Sequence, residues 1–338
     1  MRVVRIHKHG GVDNLKIDNL ETPKPAPNEV LVKIKYAALN HLDIFVREGF
    51  PGIPLPLVLG SDGAGEIVEV GSEVENYTTG DEIINVPFRI PLDDPLVKRN
   101  QENLSSKYTI PGEHSNGCQA EYVSIPQEFI LHKPKNISWE EAAAFPLASL
   151  TAYHMLIAKV NLQKGQWVLI YGASSGVGSA AIQIAKAISA NVITTVGSKE
   201  KAEMAKKLGA DYTINYNEEP IGKTAKEISG GIDIVFEHTG EKTWRDSLRC
   251  LKIGGKVVTC GATTGPFVNI DLRALFIKQQ QIIGSTMGTM QDMKKVCELV
   301  AQKKLKPVVG KIFDFEDIKL AHEWLESGKQ FGKVLLRF

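Results

Sequence analysis

The sequence predicts an α/β protein: a doubly wound parallel sheet in the middle of the chain, and a mostly β domain assembled from both ends. Three observations carry that expectation. Up to about residue 123, short apolar runs of period two are separated by Gly and Pro. From 124 to 287, continuous apolar runs alternate with helical patterns. The chain then closes on an apolar strand, Lys333-Val-Leu-Leu-Arg337. Half-buried antiparallel strands alternate apolar and polar residues, whereas strands covered on both faces are apolar throughout. A terminal strand needs a neighbour to satisfy its backbone, and the N-terminal β region is the natural host. The expected division is therefore 1–123 with 288–338, around 124–287.

The elements follow in order. Val30-Leu-Val-Lys-Ile-Lys-Tyr36 alternates as a strand, and Glu66-Ile-Val-Glu-Val70 is punctuated by Gly60, Gly63, Gly65 and Gly71. The polar stretch 89–117 contains Pro91, Pro95 and Pro111 and keeps no period, which in a compact protein marks a functional loop or the remnant of a lobe. The apolar stretch 142–160 is interrupted by Pro146, Ser149, Thr151, His154 and Lys159 and reads as a buried helix rather than a membrane span. Trp167-Val-Leu-Ile-Tyr171 opens the doubly wound region, followed by a helix over 180–188, a strand over 191–196 and a charged helix to Leu208. Further strands are expected at 212–216, 233–236, 256–260 and 281–283, with 271–283 as a whole read as extended. Helices near 292–303 and 316–327 flank an extended 308–313.

Composition removes several function classes. The 338 residues carry 40 basic and 39 acidic side chains, a formal charge of +1, which gives no electrostatic reason for nucleic acid or an acidic membrane as partner. Cys118, Cys250, Cys260 and Cys297 are too scattered for a disulfide framework or a Cys-rich metal domain and read as reduced, packed thiols. No apolar block of signal-peptide length opens the N-terminus, so a cytoplasmic location is expected.

The strongest local motif is Gly172-Ala-Ser174-Ser175-Gly176-Val177-Gly178, set between an apolar strand and a helix. Missing side chains let such a turn approach a pyrophosphate, whose charge the N–H groups of the helix start stabilise. A dinucleotide is the expected ligand. The tip of the next strand reads Val196-Gly-Ser198-Lys199-Glu200-Lys201, with no acid to accept bonds from ribose hydroxyls. Ser198 with Lys199 or Lys201 suits a 2′-phosphate instead, which favours NADP(H). The alternatives are that the lysines form a solvated helix face, or that Glu200 reaches a ribose.

Dispersed motifs in a consistent order then carry a resemblance. They are Asn40-His-Leu-Asp43, Leu59-Gly-Ser-Asp-Gly-Ala-Gly-Glu-Ile-Val-Glu-Val-Gly71, Gly80-Asp-Glu82, Ala120-Glu-Tyr-Val123, Leu150-Thr-Ala-Tyr153, the turn 172–178 and Gly332-Lys-Val334. Over nearly its whole length the chain resembles the medium-chain dehydrogenase/reductase superfamily. The resemblance implies a GroES-like catalytic domain from both chain ends, a central Rossmann domain, and an active site in the cleft between them.

Departures from the family are equally informative. Zinc-dependent alcohol dehydrogenases of the superfamily hold a catalytic metal through two cysteines and a histidine, and their positions match Asn40, Ser61 and Leu147. An amide, a hydroxyl and an isobutyl group cannot replace that set, so no metal is expected there. The four thiolates of the structural lobe match Pro91, Asp94, Val97 and Ser105, which leaves the loop to be ordered by packing or a subunit contact, or to be mobile. Asp62 matches the acid of the family's Gly-His-Glu motif, either beside the site or as a buried, hydrogen-bonded carboxylate. His41 invites a metal or proton-relay reading, but on an extended segment Asn40 and His41 would point to opposite faces.

Quinone oxidoreductase-like members also lack zinc and place Asn at the position of Asn40; their frequent Tyr is Phe45 here. In NADPH-dependent relatives Ser198, Lys201 and Tyr216 match the surroundings of the 2′-phosphate. The resemblance further implies cofactor contacts at Thr151, Gly261 and Ser285; their plainer reading, with Gly284, is strand-end and turn chemistry. His238 reads as a packed or adenine-adjacent residue.

The implied activity is zinc-independent, NADPH-dependent hydride transfer to a quinone or an α,β-unsaturated carbonyl. Conjugation in such acceptors spreads the charge that zinc would otherwise neutralise. Asn40 orients the substrate, while Asp43 and Arg47 shape or charge the site. The alternatives are an alcohol or aldehyde dehydrogenase with a metal on unusual ligands such as His41 and Asp62, and a non-catalytic NADPH-binding protein. A homodimer or homotetramer is expected, with the 271–283 edge pairing across a two-fold axis.

Overall fold

The computed structural model describes residues 1–49 and 52–338. The chain divides into two compact units. One comprises 1–147, 289–297 and 307–338; the other comprises 148–288 and 298–306. The first boundary lies near 147 rather than 123. The strand Tyr122–Pro126 pairs with Glu29–Leu39, and Ile130–His132 with Glu82–Asn85, so both remain hydrogen-bonded to the first unit.

A seven-stranded sheet organises that unit. Glu29–Leu39 lies at its centre, antiparallel to Asp62–Val70, Tyr122–Pro126 and the terminal Lys333–Arg337. The last pairing runs Val334 against Leu39 and Leu336 against Ala37, so the chain's end is hosted by its beginning, as the sequence predicts. Val309–Asp314 adds a parallel strand at one edge. A three-stranded sheet of Leu15–Asn19, Arg2–Ile6 and Leu57–Val58 stands beside it. Val4, Ile6, Leu39, Val46, Leu59, Phe315, Ile318 and Leu336 share one buried cluster.

In the second unit six parallel strands run in the order Tyr212–Asn215, Asn191–Val196, Trp167–Ile170, Ile232–Glu237, Leu251–Thr259 and Gln281–Gly284. The order reverses between Trp167–Ile170 and Ile232–Glu237, the crevice where open α/β sheets take ligands. Val192, Ile193, Val168, Leu169, Val235 and Val257 are each fully buried, as strands covered on both faces require. Among the described residues no helix is long and apolar enough to cross a membrane.

Two local expectations need correction. Residues 271–283 are not extended throughout: the Asp271 side chain accepts the Arg273 N–H and starts a helix, Leu272–Ile277, leaving only Gln281–Gly284 as strand. Nor is the segment after Asn40 extended, because a helix, His41–Gly49, begins there. Asp43 fixes that start by accepting the Asn40 N–H at 2.7 Å, while the Asn40 carbonyl accepts the Asp43 N–H at 3.0 Å.

Candidate active site

In the second unit the residues expected to hold a dinucleotide follow the carboxyl ends of the parallel strands. Ser175 caps the helix Gly176–Ala187: its Oγ accepts the Gly178 N–H at 2.9 Å and donates to the Gly172 carbonyl at 2.8 Å. The Gly172 N–H donates to Thr195 Oγ1 at 2.9 Å, tying the turn to the neighbouring strand. Gly178 has no alternative, since a Cβ there would lie 2.2 Å from the Gly172 carbonyl oxygen. The N–H groups of Gly176 and Val177 have no carbonyl a turn behind them in the helix and are positioned for an anion.

At the next strand tip Ser198 caps the helix Lys199–Lys207, accepting the Lys201 N–H at 3.3 Å. The Lys201 ammonium reaches back to Ser174 Oγ at 3.4 Å, and its partial burial lowers its pKa. Tyr216 is half exposed with its hydroxyl against Gly197, where a Cβ would lie 2.3 Å from it. Ser174, Ser198, Lys201 and Tyr216 thus surround one strand end. His238 Nε2 sits 2.9 Å from the Tyr171 carbonyl, packed under the glycine turn. Gly261 abuts the His238 carbonyl. Ser285 follows the last strand, with a buried Oγ that has no hydrogen-bond partner. Thr151 Oγ1 contacts Met287 Sδ at 3.9 Å. An orphaned hydroxyl, a capped glycine turn and a strand-end ammonium fit a nicotinamide dinucleotide.

In the first unit Asn40 belongs to a buried polar cluster. Its Nδ2 donates to Asp62 Oδ2 at 3.0 Å, and its Oδ1 accepts from the Lys333 ammonium. Lys333 Nζ also pairs with Asp62 Oδ2 at 3.0 Å, while Asp62 Oδ1 accepts the Leu147 N–H at 2.8 Å. Asp43 braces the cluster from beneath, accepting N–H groups from Asn40 at 2.7 Å and Gly60 at 3.0 Å. Burial pushes the Asp43 carboxyl up to about 7 against the opposing effect of those N–H bonds. Ser61 Oγ is buried without a partner, and its carbonyl accepts from Asn85 Nδ2 at 2.7 Å. The sequence reading missed Lys333 as a site residue. The available signal was a lysine at the head of an otherwise apolar strand.

Arg47 lies elsewhere. Its guanidinium is buried against the Gly10 carbonyl at 3.1 Å, His322 Nδ1 at 3.3 Å and Glu326. Its helix therefore carries Asp43 to the Asn40 cluster and Arg47 into a separate network. Burial, with the Arg47 charge adding to it, holds His322 down at about 3. Burial raises the thiols of Cys118, Cys250 and Cys260 to about 12, so these cysteines remain protonated.

The stretch 89–117 is ordered by direct contacts. Ser105 Oγ donates to Asp94 Oδ2 at 2.8 Å and the Leu96 N–H to Asp94 Oδ1 at 2.9 Å. Arg89 and Thr109 exchange backbone bonds at 2.8 and 2.9 Å. Gly117 packs so tightly on the strand leading to Ser61 that a Cβ would lie 2.1 Å from the Gly60 oxygen. Among the described residues no group of three or more His, Cys, Asp or Glu side chains is arranged to hold a metal ion.

Comparison with known proteins agrees with this architecture. Residues 26–135 match the family model of the alcohol dehydrogenase GroES-like domain, and residues 176–302 match that of the zinc-binding dehydrogenase. A zinc-type alcohol dehydrogenase-like protein of Schizosaccharomyces pombe is 35% identical, covering 100% of this chain and 99% of its own. An acryloyl-coenzyme A reductase of Metallosphaera sedula is 32% identical over 99% of this chain and 98% of its own. Among solved structures, an NAD-dependent alcohol dehydrogenase superposes with a TM-score of 0.97 at 41% identity, covering 100% of both chains. A crotonyl-CoA carboxylase/reductase in complex with NADP gives 0.92 at 25% identity, over 100% of this chain and 94% of its own. The chain belongs to the medium-chain dehydrogenase/reductase superfamily, oxidoreductases whose members bind a nicotinamide cofactor.

Proposed function

We propose that the protein is a zinc-independent, NADPH-dependent reductase of conjugated carbonyl compounds, α,β-unsaturated carbonyls foremost and quinones second. The observation that carries this reading is the pairing of Asn40 and Asp62 with Lys333 at the place matched to the family's catalytic zinc. The residues there do not fit that metal: an amide, a hydroxyl and an isobutyl group supply neither thiolate nor imidazole, and an ammonium already bonds the amide and the carboxylate. A conjugated acceptor suits such a site, because its developing charge is delocalised and one hydrogen-bond donor on the carbonyl oxygen suffices.

The turn 172–178, with Ser174, Ser198, Lys201 and Tyr216 at the adjoining strand end, would hold NADPH, and Thr151, Gly261 and Ser285 would line its path. When bound, the reduced nicotinamide supplies the hydride. Asn40 donates to the substrate oxygen and Asp43 keeps the Asn40 backbone in place; the final proton comes from water. The similarity to an acryloyl-coenzyme A reductase favours enoyl over simple aldehyde substrates. The similarity to an NAD-dependent alcohol dehydrogenase keeps alcohol oxidation as the second reading.

A second copy of the chain is the expected partner. The edge strand Gln281–Gly284 is flanked by Phe267, Leu272, Phe276 and Ile277, each at least 66% exposed.

A substrate panel of enones, enoyl thioesters, 1,4-quinones and primary alcohols, run with NADPH and NADH and with metal content measured on the same sample, tests the reading. Turnover of enones with NADPH by metal-free protein is expected, and Lys201→Ala should raise the KM for NADPH roughly 10-fold or more while sparing NADH. Alcohol oxidation that requires one tightly bound zinc would overturn it.

A further inference from the structure

We infer that Lys333 is a positioning residue that fixes the polarity of Asn40, so that the site presents an N–H donor, and not a carbonyl, to its substrate. The inference rests on the reading of the protein as a carbonyl-reducing enzyme and deepens it. Val334 is paired with Leu39 in antiparallel register, which sets Lys333 opposite Asn40, the residue that follows Leu39. Gly332 precedes it at φ +93°, packed against Val308 with no room for a Cβ beside the Val308 carbonyl. Lys333 ends 5% exposed, its ammonium on Asn40 Oδ1 and Asp62 Oδ2.

The chemistry of the partners decides which way the amide points. An ammonium only donates and an ionised carboxylate only accepts, so the Asn40 atom facing Lys333 is the oxygen and the one facing Asp62 is the nitrogen. Reversing the amide would set its N–H groups against the ammonium and its carbonyl against the carboxylate. One Nδ2 proton is used by Asp62, and the second is what Asn40 offers a ligand. A cation on the carbonyl end polarises the amide and strengthens that donor, as linked hydrogen bonds do in a low-dielectric interior. Asp62 balances the buried charge and is itself held by the Leu147 N–H. Positive charge thus reaches the substrate oxygen through an amide, with no coordination bond, and the site selects hydrogen-bond acceptors.

The test joins kinetics to a measurement that needs no turnover. Lys333→Met is expected to lower kcat for an enone about 10- to 100-fold while leaving NADPH affinity, read by fluorescence titration, unchanged. Lys333→Gln, which keeps a donor on Asn40 Oδ1, should recover part of the loss. Because Lys333 acts through Asn40, Lys333→Met combined with Asn40→Ala should be no slower than Asn40→Ala alone. Multiplicative losses in the double variant, or near-normal kcat in Lys333→Met, would overturn the inference. In wild-type protein labelled with 15N-asparagine, the Asn40 side-chain signals, assigned by their loss in Asn40→Ala, should show one Nδ2 proton shifted downfield by its carboxylate bond. Two ordinary, freely exchanging amide protons would refute it even if the lysine variants do not fold. A wild type that reduces nothing in the panel sinks the proposed reaction alone and leaves the spectrum to judge Lys333.

Discussion

Two regions of the first unit stand where zinc-bearing members of the superfamily hold a metal, and they are filled in different ways. At Asn40, Ser61 and Leu147 a positive charge is retained: the Lys333 ammonium, buried and balanced by Asp62. At Pro91, Asp94, Val97 and Ser105 the described residues place no buried ammonium; the cation that acts on Asp94 is the exposed Lys107. One hydroxyl-to-carboxylate bond, from Ser105 to Asp94, closes the loop with the help of backbone turns. A structural ion only crosslinks a loop, and a hydrogen bond across the same span serves that end. An ion that polarises a substrate does something a neutral crosslink cannot, and the buried charge is why the proposed chemistry is assigned to the first region.

The contrast is broken most directly by charge removal. Asp62→Ala would leave the Lys333 ammonium buried without its partner, at a cost to stability of about 3–5 kcal/mol by urea denaturation. Ser105→Ala removes two hydrogen bonds from a partly exposed loop, one to Asp94 and one from the Lys107 N–H, and should lower Tm by only about 2–4 °C. Equal losses would mean that the two regions are crosslinks of the same kind. Activity should separate them further: Ser105→Ala is expected to keep enone turnover within about 2-fold, since the Ser105 hydroxyl is engaged with Asp94 and the Lys107 N–H and not with the Asn40 cluster. A large kcat defect in Ser105→Ala would tie the loop to the chemistry.

How far these regions could be read from sequence follows from the range of the forces that shape them. The glycine turn at 172–178, its flanking strand and Ser175 are local, and turn chemistry and apolar pattern identify them without the rest of the molecule. The terminal strand was legible for a similar reason, because an apolar run must pair. Its register was not, and register alone sets Lys333 opposite Asn40 across a separation of 293 residues. The Asn40 segment reads as extended by pattern, whereas a capping bond from Asp43, three residues on, turns it into a helix start. Asp94 and Ser105 match two thiolate positions of the structural lobe by resemblance alone, and the bond between them depends on how the turns at 94–105 fold back, which pattern does not encode.

The two regions should also respond to pH with opposite sign. Burial raises the Asp43 carboxyl from 3.8 to about 7, so between those values the folded protein binds a proton that the unfolded chain releases. This group's contribution therefore falls as pH rises through that window and is most favourable below about 4. At Asp94 the Leu96 N–H and the Ser105 hydroxyl hold the carboxyl below its ordinary value, so its contribution is present above about pH 4 and is lost on acidification through the lowered pKa. Urea denaturation of wild type and Asp43→Asn at about pH 5 and pH 8 should show the wild type losing about 2–3 kcal/mol more than the variant across the interval. The smaller effect is at the loop, where the Tm gap between wild type and Ser105→Ala should narrow as pH falls from about 5 to 3. A gap that widens in acid would place the proton on the wrong side of the Asp94 bond. The loop would then owe its order to its backbone turns, and Asp94 would be a bystander.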